Sequence, residues 1–192
     1  MMFWGSPGLQ CQIHQQMEEI FMSTDKQPVY EIERKFLVKK PPENLNEYPC
    51  SCIEQGYLCT APVVRVRKKD DNYILTYKSG GMMLREEYEH PLTAESYSHL
   101  IKKADGLVIS KTRYRIPDKN GLLIELDIFH GSLEGFIMAE VEFESEEQAL
   151  SYSIPGWFGK DVTNDPAFHN SRISRMNEAE LKKFMLYQSA LQ

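Results

Sequence analysis

What this 192-residue chain has little of already narrows its function. It has four cysteines, and Cys50-Ser51-Cys52 is a C-x-C, not the C-x-x-C of a zinc knuckle; no second pair follows at ligand-like distance. They are expected to be reduced intracellular thiols, not a zinc site or a disulfide framework. The five histidines, His14, His90, His99, His130 and His169, show no ligand spacing and are read as surface or structural residues. No apolar run approaches the roughly 20 residues that span a bilayer. The N-terminus has no basic segment followed by a continuous apolar one, which argues against a secretory signal and for a cytoplasmic protein. Positive charge is not in excess either. A formal net charge of −6 argues against general nucleic-acid binding, although it leaves room for a local basic site. Internal repeats and low-complexity stretches are absent.

What is present is a long succession of segments with a period of two. Residues 1–27 read as an N-terminal extension, with helical spacing across residues 10–22, and residues 28–192 as one domain. In residues 30–38, Glu31, Glu33 and Lys35 fall on one face, and Tyr30, Ile32, Arg34 and Phe36 on the other. The alternation returns in residues 52–60, with Ile53, Gln55, Tyr57 and Cys59 together, and in residues 63–68, with Arg65 and Arg67 together. It continues in residues 73–78, ending on Lys78, and in 84–90, with Arg85, Glu87 and Glu89 in one parity. It appears again in 108–116 (Lys111, Arg113, Arg115), 122–129 (Glu125, Asp127) and 137–144 (Glu140, Glu142). Asp70-Asp71-Asn72 and Asp118-Lys119-Asn120-Gly121 read as hairpin turns. Helical patterns interrupt at residues 93–103, behind an N-capping Thr93, and at residues 145–150, opened by a Ser-x-x-Gln capping box. A final amphipathic helix is expected over residues 177–191, with Leu181, Phe184, Met185 and Leu186 inward. Trp157 and Phe158 are read as packing residues.

The fold class predicted is α+β, mainly antiparallel: an eight-stranded closed β-barrel with helices packed outside. Solvated polar faces normally mix Thr, Ser, Gln and Lys. Here charge recurs at i, i+2 on nearly every strand, and the inserted helices need an apolar surface on which to dock. The apolar faces are therefore expected outside and the charged faces around a lumen. Buried charge must be paired or coordinated. Arg and Lys clusters suit phosphate oxygens, whereas carboxylates without His or Cys are hard donors suited to Mg²⁺ or Mn²⁺. Both in one cavity indicate a metal–polyphosphate complex.

Glu31-Ile32-Glu33-Arg34-Lys35 resembles the Glu-x-Glu-x-Lys signature of the CYTH superfamily, the triphosphate tunnel metalloenzymes. The Arg65/Arg67 pair, Thr76-Tyr77-Lys78, Arg85-x-Glu87-x-Glu89, Lys111-Thr112-Arg113, Glu125-Leu126-Asp127 and Glu140-Val141-Glu142 follow in family order. Asp161-Val162-Thr163-Asn164-Asp165 resembles the closing motif. The small single-domain bacterial members are the most similar in form. The resemblance implies a tunnel that binds triphosphate with Mg²⁺ or Mn²⁺. Glu31, Glu33, Glu140, Glu142 and Asp127 would be metal ligands. Lys35, Arg65, Arg67, Lys78, Lys111, Arg113 and Arg115 would be phosphate ligands, with Lys160 a further candidate and Glu87, Glu89 and Glu125 in support. Lys35, Glu140 and Glu142 would stand closest to the chemistry, an in-line attack of water on a terminal phosphoryl group. Inorganic tripolyphosphate is the leading substrate. Thiamine triphosphate hydrolysis, a class IV adenylyl cyclase acting on ATP, and a noncatalytic polyphosphate- or nucleotide-binding module are the alternatives.

Overall fold

The computed structural model describes residues 32–79 and 87–191. The extension expected over residues 1–27, Glu31 and Arg85 lie outside them. Nine strands form one antiparallel sheet: β1 (Ile32–Val38), β2 (Cys50–Thr60), β3 (Val63–Lys69), β4 (Asn72–Lys78), β5 (Glu87–Pro91), β6 (Ile109–Pro117), β7 (Leu123–Phe129), β8 (Ile137–Phe143) and β9 (Phe158–Asp161). Their order is β5-β4-β3-β2-β6-β7-β8-β1-β9. Among the described residues four α-helices accompany them: α1 (Ala94–Ile101), α2 (Glu146–Ser151), α3 (Asn170–Ile173) and α4 (Glu178–Leu191). Among the described residues no helix is long and apolar enough to cross a membrane.

The expected eight-stranded closed barrel is corrected in two respects. Among the described residues there are nine strands, and no ladder joins β5 to the β1–β9 end. β9 pairs with β1 at Phe36 and Val38, occupying part of the edge that a closing ladder would need. The pairing is fixed from both sides. Val162 N donates to Lys35 O at 2.8 Å, Lys39 N donates to Trp157 O at 3.1 Å, and the Arg34 guanidinium grips Asp161 at 2.6 Å.

The sheet nevertheless curls as the charge pattern requires. Phe36, Val38, Ile116, Ile124, Leu126, Ala139, Val141 and Phe143 form an outer apolar cluster, covered by Ala149 of α2 and by Phe158. Ser145 caps α2 by accepting from Gln148 N at 3.1 Å, and Arg34 ties the helix down by donating to Ala149 O at 2.8 Å. On the other half, α1 lies over β2, β3 and β4. A Cβ at Gly56 would stand 2.7 Å from Ile101 and Ala104, so this close approach needs glycine.

The charged face does not stay charged along its whole length. Leu37, Tyr57, Ile109, Phe129 and Met138 share parity with Lys35, Gln55, Lys111, Asp127 and Glu140. They form a second core with Phe136, Phe168, Ile173 and Phe184. Thus α4 does not pack outside as expected. Phe184 meets Phe136 edge-on at 5.2 Å and Phe168 at 5.3 Å, and the helix closes one end of the lumen. Leu186, expected inward, is 67% exposed.

Candidate active site

The concave face of the sheet encloses a cavity of about 270 Å³. Its strands bring together residues far apart in sequence: Glu33 and Lys35 from β1, Arg65 and Arg67 from β3, Lys78 from β4. Glu87 and Glu89 come from β5, Lys111 and Arg113 from β6, and Glu140 and Glu142 from β8. All eleven were expected there from parity alone. Asp127, Glu125 and Arg115 are not in its lining. Asp127 has no exposed surface and lies beneath the wall, accepting from Arg113 Nε at 2.7 Å, from Arg113 Nη2 at 2.6 Å and from Lys111 Nζ. Glu125 accepts from Arg113 as well, and Arg115 reaches Glu125 only at 3.9 Å. Glu31 is outside the described residues.

The register explains the wall of β1, β6, β7 and β8. Lys35 stands opposite Glu140, and Arg113 opposite Asp127. Lys35 Nζ lies 2.7 Å from Glu140 and 2.8 Å from Glu33. Arg113 Nη2 also reaches Glu140, at 2.6 Å. Burial opposes charge on both sides of this cluster, and the pairing overcomes it. Burial alone would lower Lys35, but Glu140 and Glu33 raise it above the usual lysine range. Burial alone would raise Glu140, but Lys35, Lys111 and Arg113 hold it well below the usual carboxylate range. Lys111 is the exception: its burial outweighs Asp127 and lowers it.

The opposite wall, β3 to β5, is less well compensated. Arg65 Nη2 reaches Thr76 Oγ1 at 3.4 Å, and Arg67 Nη2 reaches Glu89 at 3.3 Å. The Nε atoms of both arginines are buried without a hydrogen-bond partner among the described residues. Burial, then repulsion from Arg65, lowers Arg67. Thr76, fully buried, relays between the two by donating to Glu89 at 3.2 Å. Lys78 lies 2.9 Å from Glu87. The Nε donors of the two arginines lack oxygen acceptors among the described residues, and phosphate supplies such acceptors.

The carboxylates fit a divalent cation by chemistry and by register. Glu33 and Glu142 stand directly opposite each other on β1 and β8, and like charges so placed repel unless a cation lies between them. Their donors are hard oxygens, suited to Mg²⁺ or Mn²⁺. Among the described residues no three such side chains already converge as a cage, because Glu33 and Glu140 are turned onto Lys35.

Several lining residues were not singled out as site residues from the sequence. Gln55 and Tyr57 lie on β2, with Gln55 Nε2 3.4 Å from the Tyr57 hydroxyl; burial raises Tyr57. Their face was legible from parity, but not their role. His169, Asn170 and Ser171 enter from around α3, where no periodic signal marks them.

Lumenal cations facing lumenal carboxylates on a curled antiparallel sheet define a protein of the charged-tunnel class. The chain belongs to the CYTH domain family, whose model matches residues 29–151. It is 39% identical over 150 residues to an inorganic triphosphatase of Nitrosomonas europaea, covering 75% of this chain and 96% of that protein. It is 34% identical over 152 residues to an inorganic triphosphatase of Acetivibrio thermocellus, covering 74% and 92%. The crystal structure of an inorganic triphosphatase superposes with a TM-score of 0.64 at 36% identity, covering 78% of this chain and 97% of the other.

Proposed function

We propose that the protein is a divalent-metal-dependent inorganic triphosphatase that hydrolyses tripolyphosphate to pyrophosphate and phosphate. The observation that carries this reading is one cavity in which half-buried arginines, their Nε atoms without a hydrogen-bond partner among the described residues, face a like-charged glutamate pair. The name shared by the two relatives supports it. The choice among triphosphates rests on the lining. Apart from Ile53, Val63 and the buried Tyr57, it is polar or charged, and it offers no broad apolar shelf for a purine or for the thiamine rings.

Glu33, Glu140 and Glu142, with Glu31 of the same signature, would hold Mg²⁺ or Mn²⁺, which when bound supplies Lewis-acid neutralisation of phosphate charge. Arg65, Arg67, Lys78 and Arg113 hold the phosphoryl oxygens and stabilise charge that grows on them during in-line displacement. Lys35 keeps its proton between Glu33 and Glu140 and presents a fixed positive charge to the substrate. Asp127 and Glu125 position Arg113, and Glu87 and Glu89 do the same for Lys78 and Arg67. Glu142, the exposed cavity-lining residue of β8, orients the attacking water.

The test is an assay of purified protein with Mg²⁺ or Mn²⁺ on tripolyphosphate, ATP and thiamine triphosphate, measuring phosphate, pyrophosphate and cyclic AMP. Phosphate and pyrophosphate from tripolyphosphate, with much slower turnover of the other two, is the expected outcome. Cyclic AMP with pyrophosphate from ATP would replace hydrolysis with cyclisation. Tight binding without turnover would make the protein a polyphosphate-binding module.

A further inference from the structure

Four buried side-chain atoms have no hydrogen-bond partner among the described residues, and three belong to residues of the cavity: Arg65 Nε, Arg67 Nε and Asn170 Oδ1. Buried polar groups are almost always satisfied, so this concentration marks where a bound molecule completes the structure. Two of the atoms are donors without acceptors. The third is an acceptor without a donor, and it does not pair with the other two. A ligand made only of acceptor oxygens would serve the arginines and leave Asn170 unmatched. A phosphoryl group at the end of a chain carries both P–O⁻ oxygens and a hydroxyl. Rotation of the amide about its last torsion also exchanges Oδ1 for Nδ2, an N–H donor to P–O⁻.

Asn170 arrives from outside the sheet and beyond the residues that the family model matches. Its segment is pinned at the closed end of the lumen. Ile173 belongs to the apolar plug, Ser174 O accepts from Leu107 N at 2.7 Å, and Arg175 donates to Thr60 Oγ1 at 3.2 Å. Val63, packed on the same plug, stands opposite Lys78 in the ladder. Along β1 the lumenal residues step away from the plug, from Leu37 through Lys35 to Glu33. Asn170 and the Glu33–Glu142 pair therefore mark opposite ends of one cavity.

We propose that Asn170, flanked by His169 and Ser171, is an end-stop: it binds the terminal phosphoryl group farthest from the Glu33–Glu142 pair and sets the register of the triphosphate along the tunnel. This rests on the triphosphate reading above. Asn170 acts by binding and positioning and takes no part in bond making.

Calorimetric titration of the full chain with tripolyphosphate in metal-free buffer tests it without turnover, using wild type, Asn170→Ala and Asn170→Asp, with a melting curve for each. The alanine variant should bind about tenfold more weakly, the loss of one hydrogen bond to a charged group. The aspartate variant should bind more weakly still, because an isosteric carboxylate repels phosphate. Melting temperatures should stay near wild type. A purely structural Asn170 predicts the opposite order, since aspartate keeps the shape that alanine removes. Asn170→Asp binding like wild type, or losses that only follow lowered melting temperatures, would overturn the end-stop alone. A wild-type protein that binds tripolyphosphate neither in this buffer nor with Mg²⁺ or Mn²⁺ added would overturn the triphosphate reading with it.

Discussion

At Asp127, Lys111 and the Nε and Nη2 atoms of the Arg113 guanidinium converge on one carboxylate with no exposed surface. Lys111 is itself only 3% exposed, so the pair is costly to build and costlier to break. Replacing Asp127 with asparagine leaves Lys111 buried without its anion. The expected loss is about 3–5 kcal/mol of stability, read as a lower urea midpoint in the absence of ligand. An unchanged midpoint with loss of metal binding would instead place Asp127 among the metal ligands. Parity in the sequence identified the face on which Asp127 lies but not its depth, because a period of two does not distinguish a residue lining a cavity from one beneath its wall. Arg65 and Arg67 were legible because they recur at i, i+2 on β3, with apolar Val64 and Val66 in the opposite parity. Asn170 was not legible, because its four-residue helix is too short to carry a period.

Among the elements, those with a strong local signal were read well. The Ser145–Gln148 capping box opens α2 as expected, and Thr93 caps α1 by accepting from Ser96 N at 3.1 Å. β9 escaped because four residues, one of them Gly159, make no alternation; tertiary contacts through Arg34 create it. In α4 the inward stripe is Leu181, Phe184, Met185 and Gln188, a run of i, i+3, i+4 and i+7. Leu186 falls off that stripe, and Gln188 completes it despite being polar. Phe184 anchors the helix into the plug, so Phe184→Ala should cost about 3–5 kcal/mol, checked by chemical denaturation. A loss below about 1 kcal/mol would mean that α4 does not seal the lumen.

For the whole molecule, the decisive property is which side of the sheet carries the charge. Repetition of paired charges across the strands made that side legible, since no single strand distinguishes a solvated face from a lumen. Closure was not legible. It depends on whether the last edge of β1 meets β5 or a later segment of the chain, and among the described residues β9 takes part of that edge. The lumen forms regardless, because the curl brings the carboxylates of β1 and β8 across from the arginines of β3. Glu33 is where these features meet: it is paired with Lys35, opposed to Glu142 and directed into the cavity. The most direct measurement is therefore the Mg²⁺- or Mn²⁺-dependent release of phosphate from tripolyphosphate by wild type and by Glu33→Gln. A tunnel that holds its metal on these carboxylates predicts loss of about 10²-fold or more in the variant, whose fold should persist. Glu33→Gln working at the wild-type rate would contradict it.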